Sequence, residues 1–248
     1  MSKRLANKVA VVTGGSQGIG AGIVRKLAKD GANVVFTYNS NKDAADKLVK
    51  EIETSGSTAI AIKADVTNTE DLESLFEQAS GQFGKLDILI NNAGVFTFQP
   101  IEATTLQEVN RLFSTNVFAP MFAIKSALGH FNDGGSIINI GSIVATSAPA
   151  AAVAYSSSKA AVDGITKVLS KELAPRRIRV NQINPGSIRT EGAQKAGLTE
   201  EFEKVLVAGI PLGRIGFPED IANLTAFLAS DEAQWTTGEI IMVSGGAR

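Results

Sequence analysis

Tyr155 and Lys159 stand four residues apart in the run AYSSSKAAV, residues 154–162. If this run is helical, the two side chains share one face. A tyrosine titrates near ~10 when unperturbed, too high for an efficient acid or base at neutral pH. A nearby lysine cation favours the phenolate and lowers the pKa of the phenol. The pair is therefore a candidate for proton transfer, although a lysine stem packed over an aromatic ring gives the same spacing.

Two further polar residues could serve the same chemistry. Ser142 closes the apolar run GGSIINIGS and could hydrogen-bond a substrate oxygen. Asn116 lies inside a predicted long helix, where asparagine is unfavourable because its side chain competes for backbone hydrogen bonds. From that position Asn116 could hold a water molecule that connects to Lys159. Neither residue alone indicates catalysis, but the whole set beside a phosphate-binding loop favours the catalytic interpretation.

A glycine-rich turn, TGGSQGIG at residues 13–20, separates the first predicted strand from the first predicted helix. Glycines let a pyrophosphate approach the backbone, and the helix N-terminus favours its negative charge. The spacing is TGxxxGxG and not GxGxxG, because Ile23 stands three residues after Gly20. A purely structural turn is the alternative interpretation.

The residues after the second strand bear on the choice of cofactor. An acid there is the usual partner of the NAD ribose, but this strand ends in Tyr38, Asn39 and Ser40, without a carboxylate or an arginine. Asn39, Ser40 and Lys42 could hydrogen-bond a 2′-phosphate or form a solvated helix cap. The pattern favours NADP(H) and leaves NAD(H) open.

Asp65, at the end of the third strand, has two interpretations. It could accept from the adenine amino group, with the Val66 backbone N–H as donor, or it could cap the next helix.

Short β-branched runs alternate with helical patterns along the chain, and this alternation predicts an α/β fold. The predicted strands are residues 9–15, 33–38, 58–65, 85–94, 134–142, 177–186 and 239–246. The longer predicted helices include residues 41–55, 104–128 and 152–174. With no linker in sight, we predict one domain over 1–248: a Rossmann-like, doubly wound parallel sheet of about seven strands with helices on both faces. The residues that follow the strands should then meet at one edge of the sheet.

Composition excludes several classes of protein. The net charge of −1 gives no long-range attraction to nucleic acid. The absence of cysteine removes thiol chemistry, and no apolar run approaches the ~20 residues of a membrane span. No clustered metal ligands appear, and the single histidine, His130, expected at the surface, accompanies no G-x-S-x-G elbow of a hydrolase. We expect a cytoplasmic protein without a nucleic-acid, membrane or metal partner.

These motifs together resemble the short-chain dehydrogenase/reductase family over nearly the whole chain. They comprise TGxxxGxG at 13–20, DV at 65–66, NNAG at 91–94, Asn116, Ser142 thirteen residues before Tyr155, YxxxK at 155–159 and PG at 185–186. The resemblance implies that Tyr155 is the general acid/base and that Lys159 lowers its pKa and binds the nicotinamide ribose. It also implies that Ser142 orients the carbonyl and that Asn116 supports a proton relay.

The resemblance also implies a set of cofactor contacts around this centre. NNAG would brace the sheet and touch the adenosine side, while the Ile188 backbone and the Thr190 hydroxyl would contact the carboxamide and a phosphate. The full predicted set is Gly14, Ser16, Gln17, Gly18, Ile19, Gly20, Tyr38, Asn39, Ser40, Asp65, Val66, Asn92, Ala93, Gly94, Tyr155, Lys159, Pro185, Gly186, Ile188 and Thr190.

The implied reaction is hydride transfer between a nicotinamide and a ketone or secondary alcohol. Segment 143–154 should line the substrate pocket and is small and apolar, with Thr146 and Ser147 as its only hydroxyls; segment 187–212 is a predicted lid. Together they favour a small neutral substrate and a broad carbonyl reductase. A β-ketoacyl carrier-protein reductase, a sugar (glucose-type) dehydrogenase and a non-catalytic dinucleotide sensor are the alternatives.

Family likeness also implies a homotetramer, with a dimer as the alternative. The predicted helices 104–128 and 152–174 would form one interface and the C-terminal strand another.

Overall fold

A seven-stranded parallel sheet forms the centre of the computed structural model, which describes residues 3–195 and 197–247. The strands are β1 (Val9–Val12), β2 (Asn33–Tyr38), β3 (Thr58–Lys63), β4 (Leu86–Asn91), β5 (Phe131–Ile140), β6 (Arg179–Pro185) and β7 (Ile240–Val243). Their order across the sheet is β3-β2-β1-β4-β5-β6-β7, so the chain starts near the middle and proceeds to each edge in turn. The prediction of a doubly wound parallel sheet is confirmed.

Ten α-helices lie between successive strands of the described residues. They are α1 (Gly18–Lys29), α2 (Lys42–Thr54), α3 (Thr69–Phe83), α4 (Leu106–Phe113), α5 (Ala119–Ala127), α6 (Val144–Ser147), α7 (Val153–Glu172), α8 (Glu191–Lys195), α9 (Glu200–Ala208) and α10 (Pro218–Ala229). Helices α8 and α9 belong to the predicted lid segment 187–212, of which residue 196 lies outside the described residues.

Alternation along the strands builds a core on each face of the sheet. In β1, Ala10 and Val12 face a cluster shared with α1, α2 and α10, whereas Val9 and Val11 face a cluster shared with α3 and α5. Both clusters are almost completely shielded from water. Parallel strands covered on both faces are expected to be apolar throughout, and all four residues of β1 are buried.

The predicted helix over 104–128 is wrong as one continuous element. A π-helical turn, Ser114–Phe118, separates α4 from α5. Pro120 gives a physical reason, because it has no N–H to donate to the Asn116 carbonyl four residues earlier. Such π turns often occur at functional sites, and this one holds Asn116 almost fully buried.

A chain of polar side chains, all of them buried except the half-buried Asp163, crosses the sheet beneath α7. Asn91 donates to Asn139 (2.9 Å), Asn139 donates to Thr166 (2.9 Å), and Thr166 donates to Gln182 (2.9 Å). The Gln182 amide then donates to Asp163 (2.6 Å) and Asn184 (2.7 Å). These six side chains, hereafter the polar chain, connect β4, β5 and β6 to the middle of α7.

Three other findings bear on the expectations about the class of protein. His130, expected at the surface, is half-buried and shares a 2.8 Å hydrogen bond with Ser80. Across residues 3–195 and 197–247, no helix is long and apolar enough to cross a membrane. The same residues contain no group of three or more His, Asp or Glu side chains arranged to hold a metal.

Candidate active site

A cavity of about 410 Å³ lies at the carboxyl ends of β1 to β4. Many of the predicted cofactor contacts line it: Gly14, Gln17, Gly18, Ile19, Gly20, Asn39, Asp65, Val66, Asn92, Ala93, Gly94 and Thr190. The other predicted contacts are not among its lining: Ser16, Tyr38, Ser40, Tyr155, Lys159, Pro185, Gly186 and Ile188. Tyr38 and Ile188 instead pack against the core cluster that contains α1. Thr37, Ala64, Thr67, Val95, Thr115 and Gly192 line the cavity without having been predicted.

The glycine loop is packed so closely that only glycine fits at its key positions. A Cβ on Gly14 would lie 2.9 Å from the Ala93 Cα, and one on Gly20 would lie 2.2 Å from the Gly14 carbonyl oxygen. The Gly18 N–H donates to a carboxylate oxygen of Glu191 at 3.2 Å. The loop therefore presents a backbone donor that accommodates an anionic oxygen, as a pyrophosphate site requires. These residues fit a dinucleotide.

Gly20→Ala should therefore disrupt the loop. We expect a loss of roughly 1–3 kcal/mol in the free energy of unfolding, because a Cβ forced into this packing must displace the backbone. Affinity for the nicotinamide cofactor should fall by about tenfold or more, since 1.4 kcal/mol of lost binding is tenfold. Urea denaturation and cofactor titration by calorimetry measure the two effects.

Gly81→Ala is the matched control for that prediction. Gly81 lies in α3 and a Cβ there would meet nothing within 4 Å. The substitution should raise stability by roughly 0.5–1 kcal/mol, because alanine favours a helix interior over glycine. Cofactor affinity should stay unchanged. Equal effects of the two variants would contradict the assigned role of the loop.

The NNAG segment after β4 holds the glycine loop in place. The Asn92 amide donates to the carbonyl oxygens of Thr13 (3.0 Å) and Gly14 (2.9 Å). The Thr13 hydroxyl in turn accepts from the backbone N–H groups of Asn92 and Ala93, each at 3.1 Å. NNAG thus ties β4 to the loop after β1, on either side of the topological switch point of the sheet.

The structure shows which polar residues after β2 and β3 cap a helix and which face the cavity. Asn68, and not Asp65, caps α3, and Asn41 caps α2. The Asp65 carboxylate accepts from the Thr67 backbone (2.9 Å) and lines the cavity. Lys42 forms a 2.6 Å ion pair with Asp46. Asn39 is therefore the residue after β2 that faces the cavity.

Tyr155 and Ser142 meet at the opposite side of the site. Tyr155 lies in the first turn of α7, and its phenol lies close to the Ser142 hydroxyl, just beyond β5. Burial raises the pKa of Tyr155, and the nearby Ser142 hydroxyl lowers it by less. The expected lowering by the Lys159 cation does not prevail in the structure, because desolvation of the phenolate dominates.

Lys159 lies one turn further along α7 and is only 6% exposed. Its ammonium donates to the Ile140 carbonyl oxygen at 3.1 Å, at the end of β5. Burial lowers the pKa of Lys159 to about 8. The side chain therefore remains largely protonated at neutral pH.

Asn116 connects the segment after β4 to helix α7. Its side chain accepts from the Val95 N–H (2.9 Å), donates to the Val95 carbonyl (2.8 Å) and donates to the Ser158 hydroxyl (3.0 Å). A Cβ on Gly94 would lie 3.3 Å from Asn116 Oδ1 and 3.4 Å from Lys159 Nζ. Gly94 therefore keeps the gap between these two side chains clear, and the water-mediated link between them stays a prediction.

Phe96 and Phe98 are site residues that the sequence analysis missed. Both rings pack against the Tyr155 ring. The available signal was two phenylalanines two residues apart, in VFTFQ, directly after NNAG. Their proximity to Tyr155 depends on a contact between segments almost 60 residues apart, which no local pattern indicates.

Comparisons with known proteins agree with this geometry. A family model described as "Enoyl-(Acyl carrier protein) reductase" matches residues 14–248. An uncharacterized oxidoreductase of Methylorubrum extorquens is 50% identical and covers 100% of both chains. A hydroxynaphthalene reductase-like protein of Metarhizium brunneum is 40% identical and covers 99% of this chain and 96% of its own. The solved structure of a short chain dehydrogenase from Burkholderia cenocepacia in complex with NADP has a TM-score of 0.93 at 37% identity, over 98% and 99% of the two chains.

Proposed function

Because this chain belongs to the short-chain dehydrogenase/reductase family, we propose that it is an NADP(H)-dependent carbonyl reductase for small neutral ketones. The observation that carries this proposal is the closeness of the Tyr155 phenol to the Ser142 hydroxyl, with the buried Lys159 one turn along the same helix. A dinucleotide sensor needs the glycine loop but gains nothing from these side chains. The cofactor would lie against the glycine loop, NNAG and Thr190, with its nicotinamide end toward Lys159.

The proposed reaction adds a hydride to the carbonyl carbon and a proton to the carbonyl oxygen. When bound, the nicotinamide supplies the hydride. The hydroxyl groups of Ser142 and Tyr155 donate hydrogen bonds to the substrate oxygen, so both stabilise the negative charge that develops there. Tyr155 then transfers its proton to that oxygen, and the secondary alcohol results. The nearby Lys159 cation stabilises the phenolate that Tyr155 leaves behind.

The protonation state of Tyr155 at neutral pH suits ketone reduction. Burial raises this pKa, so the phenol holds its proton at neutral pH. A neutral phenol is the form that a reductase needs at the start of each turnover, whereas alcohol oxidation needs the phenolate. The oxidation of secondary alcohols is therefore expected mainly at higher pH.

NADPH is the proposed cofactor over NADH. No carboxylate follows β2, where an acid would repel a 2′-phosphate, and Asn39 lines the cavity there. The Burkholderia relative was solved with NADP. A neutral hydrogen-bonding residue at this position accepts a phosphate without charge repulsion.

Asn39→Asp tests the choice of cofactor with almost no change in shape. We expect affinity for NADPH to fall by roughly tenfold to a hundredfold, because like charges face each other across the site. Affinity for NADH should change little. Steady-state KM values for both cofactors give the ratio.

Asn41→Asp is the control, since it adds the same charge at the cap of α2. Aspartate is as good a cap as asparagine, and position 41 does not line the cavity. An NADPH/NADH ratio unaffected by Asn39→Asp, or shifted equally by both variants, would contradict the proposed position of the 2′-phosphate.

A neutral ketone is favoured over the alternatives by the surroundings of Tyr155. Segment 143–154 carries no charged side chain. A β-ketoacyl carrier-protein substrate is the second candidate, because the matching family model is described as a carrier-protein enoyl reductase. A turnover screen with NADPH should compare ketones, sugars and β-ketoacyl thioesters. Strong preference for the thioester would replace the proposal, and cofactor binding without any turnover would favour a sensor.

We expect this enzyme to assemble as a homotetramer. Apolar side chains remain exposed on α5 and α7, among them Met121 and Val168. Near the edge strand β7, Trp235 is 95% exposed and Met242 is also exposed. Two separate apolar patches would suit two interfaces. Light scattering at assay concentration distinguishes a tetramer from the alternative dimer.

A further inference from the structure

Two exposed phenylalanine rings surround the reactive phenol. The ring centroid of Phe98 lies 5.9 Å from that of Tyr155 at an interplanar angle of 77°, and the Phe96 centroid lies 6.1 Å away at 49°. The two phenylalanine rings are themselves 6.3 Å apart. Yet Phe96 is 42% exposed and Phe98 54% exposed. Large apolar rings left open to water beside a reactive group indicate a surface that a ligand covers.

The backbone that carries these rings is fixed at both ends. At one end Asn116 binds both the N–H and the carbonyl of Val95. At the other end the Gln99 N–H donates to the Ala151 carbonyl oxygen at 2.6 Å, in the loop just before α7. The rings are therefore held in position before any ligand arrives, which reduces the ordering cost of binding.

The chemistry of the surrounding chain restricts what could cover the rings. Neither segment 95–99, VFTFQ, nor segment 143–154 contains a charged residue. Aromatic rings attract a further ring in edge-to-face or offset geometry beyond the attraction of simple apolar area. A cluster of three rings that already pack edge-on or tilted therefore favours a fourth ring over an aliphatic chain of equal size.

We propose that the preferred substrates are aryl ketones, whose aromatic ring is attached to the carbonyl carbon and packs against Phe96 and Phe98. The carbonyl oxygen then meets Tyr155 and Ser142. Both phenylalanines contact the ring of Tyr155, and the substrate oxygen binds the hydroxyl of that same ring. An aromatic ring bonded to the carbonyl carbon is therefore close enough to contact Phe96 and Phe98. This inference rests on the proposed ketone reduction and names its substrate class.

A pair of ketones of nearly equal size tests the proposal: 1-tetralone, an aryl ketone, and 1-decalone, its ring-saturated counterpart. Phe98→Leu and Phe96→Leu keep an apolar side chain but remove the ring. Each ketone is compared between variant and wild type, so the intrinsic difference in reactivity of the two ketones cancels. We expect kcat/KM for 1-tetralone to fall by about tenfold in Phe98→Leu and that for 1-decalone by less than about threefold.

Two further variants sharpen the result. Phe98→Tyr keeps the ring and should retain the preference for 1-tetralone. Phe122→Leu removes an exposed ring on α5, which is not among the rings packed against Tyr155, and should change neither ketone. Thermal unfolding of each variant checks that the fold persists.

The outcomes separate this inference from the proposed function. Equal losses for both ketones in Phe98→Leu would overturn the aryl preference and leave ketone reduction intact, because the rings would then act only as an apolar wall. Wild-type turnover of 1-decalone at least as fast as that of 1-tetralone, with no effect of either leucine variant, would overturn it as well. Failure to reduce either ketone, or any other in the screen, would overturn both proposals.

Discussion

Tyr155→Phe is expected to lower kcat/KM for ketone reduction by roughly 10²- to 10⁴-fold, the range for loss of a general acid. Phenylalanine keeps the ring that packs against Phe96 and Phe98. It removes the hydroxyl that lies beside Ser142, and with it the proton that the substrate oxygen would receive. Because the lesion lies on the substrate side, NADPH should bind with nearly unchanged affinity. Nicotinamide absorbance measures the rate, and calorimetry measures binding.

Ser156→Ala provides the control on the same helix. The Ser156 hydroxyl is buried without a hydrogen-bond partner among the described residues, so its removal should leave both turnover and stability close to wild type. Retention of activity within about tenfold in Tyr155→Phe would mean that another group donates the proton.

Lys159→Met should produce opposite effects on activity and stability. The ammonium is buried, and its pKa falls from 10.5 to about 8. Each pKa unit corresponds to about 1.4 kcal/mol, so the charged side chain destabilises the fold by an amount on the order of 3 kcal/mol when fully protonated. Methionine fills similar space without that cost. At pH 7 we expect the variant to unfold roughly 4–10 °C higher, and to lose turnover by about a hundredfold or more because the phenolate loses its cation.

The pH dependence of that gain follows from the two protonation states. Below about pH 8 both the folded and the unfolded chain hold the Lys159 proton, so the full cost is present. Between about pH 8 and 10.5 the unfolded chain holds the proton and the folded chain releases it. The wild type therefore gains stability from this group as the pH rises through that window, and the advantage of Lys159→Met shrinks.

Lys167→Met is the matched comparison, because Lys167 is exposed on the same helix. Its effect should stay within about 0.5 kcal/mol at every pH. A destabilised Lys159→Met protein at pH 7, or a gain that does not diminish at higher pH, would show that burial of the ammonium is not costly. Urea titrations at several pH values make the comparison.

Much of the fold follows from local pattern. The run at residues 33–38 predicted β2 with its observed bounds, because a β-branched segment between glycine and polar residues leaves little freedom. The long helix over 104–128 could not be predicted in its real form. Its apolar pattern is nearly continuous, and the π turn at Ser114–Phe118 depends on Pro120 and on the bonds of the Asn116 side chain to distant segments.

Part of the site could likewise be predicted from the sequence, and part could not. The glycine loop, NNAG and Thr190 follow strands, so a parallel sheet brings them to one cavity. The direction of the Tyr155 pKa shift depends on how completely the phenol is desolvated, a quantity that spacing does not contain. The anchoring of Phe96 and Phe98 over Tyr155 likewise depends on segment 95–99 meeting the loop before α7 and α7 itself in space.

The polar chain beneath α7 fixes the position of this helix along the sheet. A helix resting on apolar side chains alone could slide by one turn, about 5.4 Å, and find comparable contacts. Donors and acceptors do not tolerate such a slip, because Thr166 and Asp163 would lose their partners and Asn139 and Gln182 would stay buried without theirs. The bonds of Thr166 and Asp163 to Asn139 and Gln182 thus admit a single setting of the helix against the sheet. The position of Tyr155 relative to Ser142 is therefore fixed by hydrogen bonds in the middle of α7 and not only by contacts at the site itself.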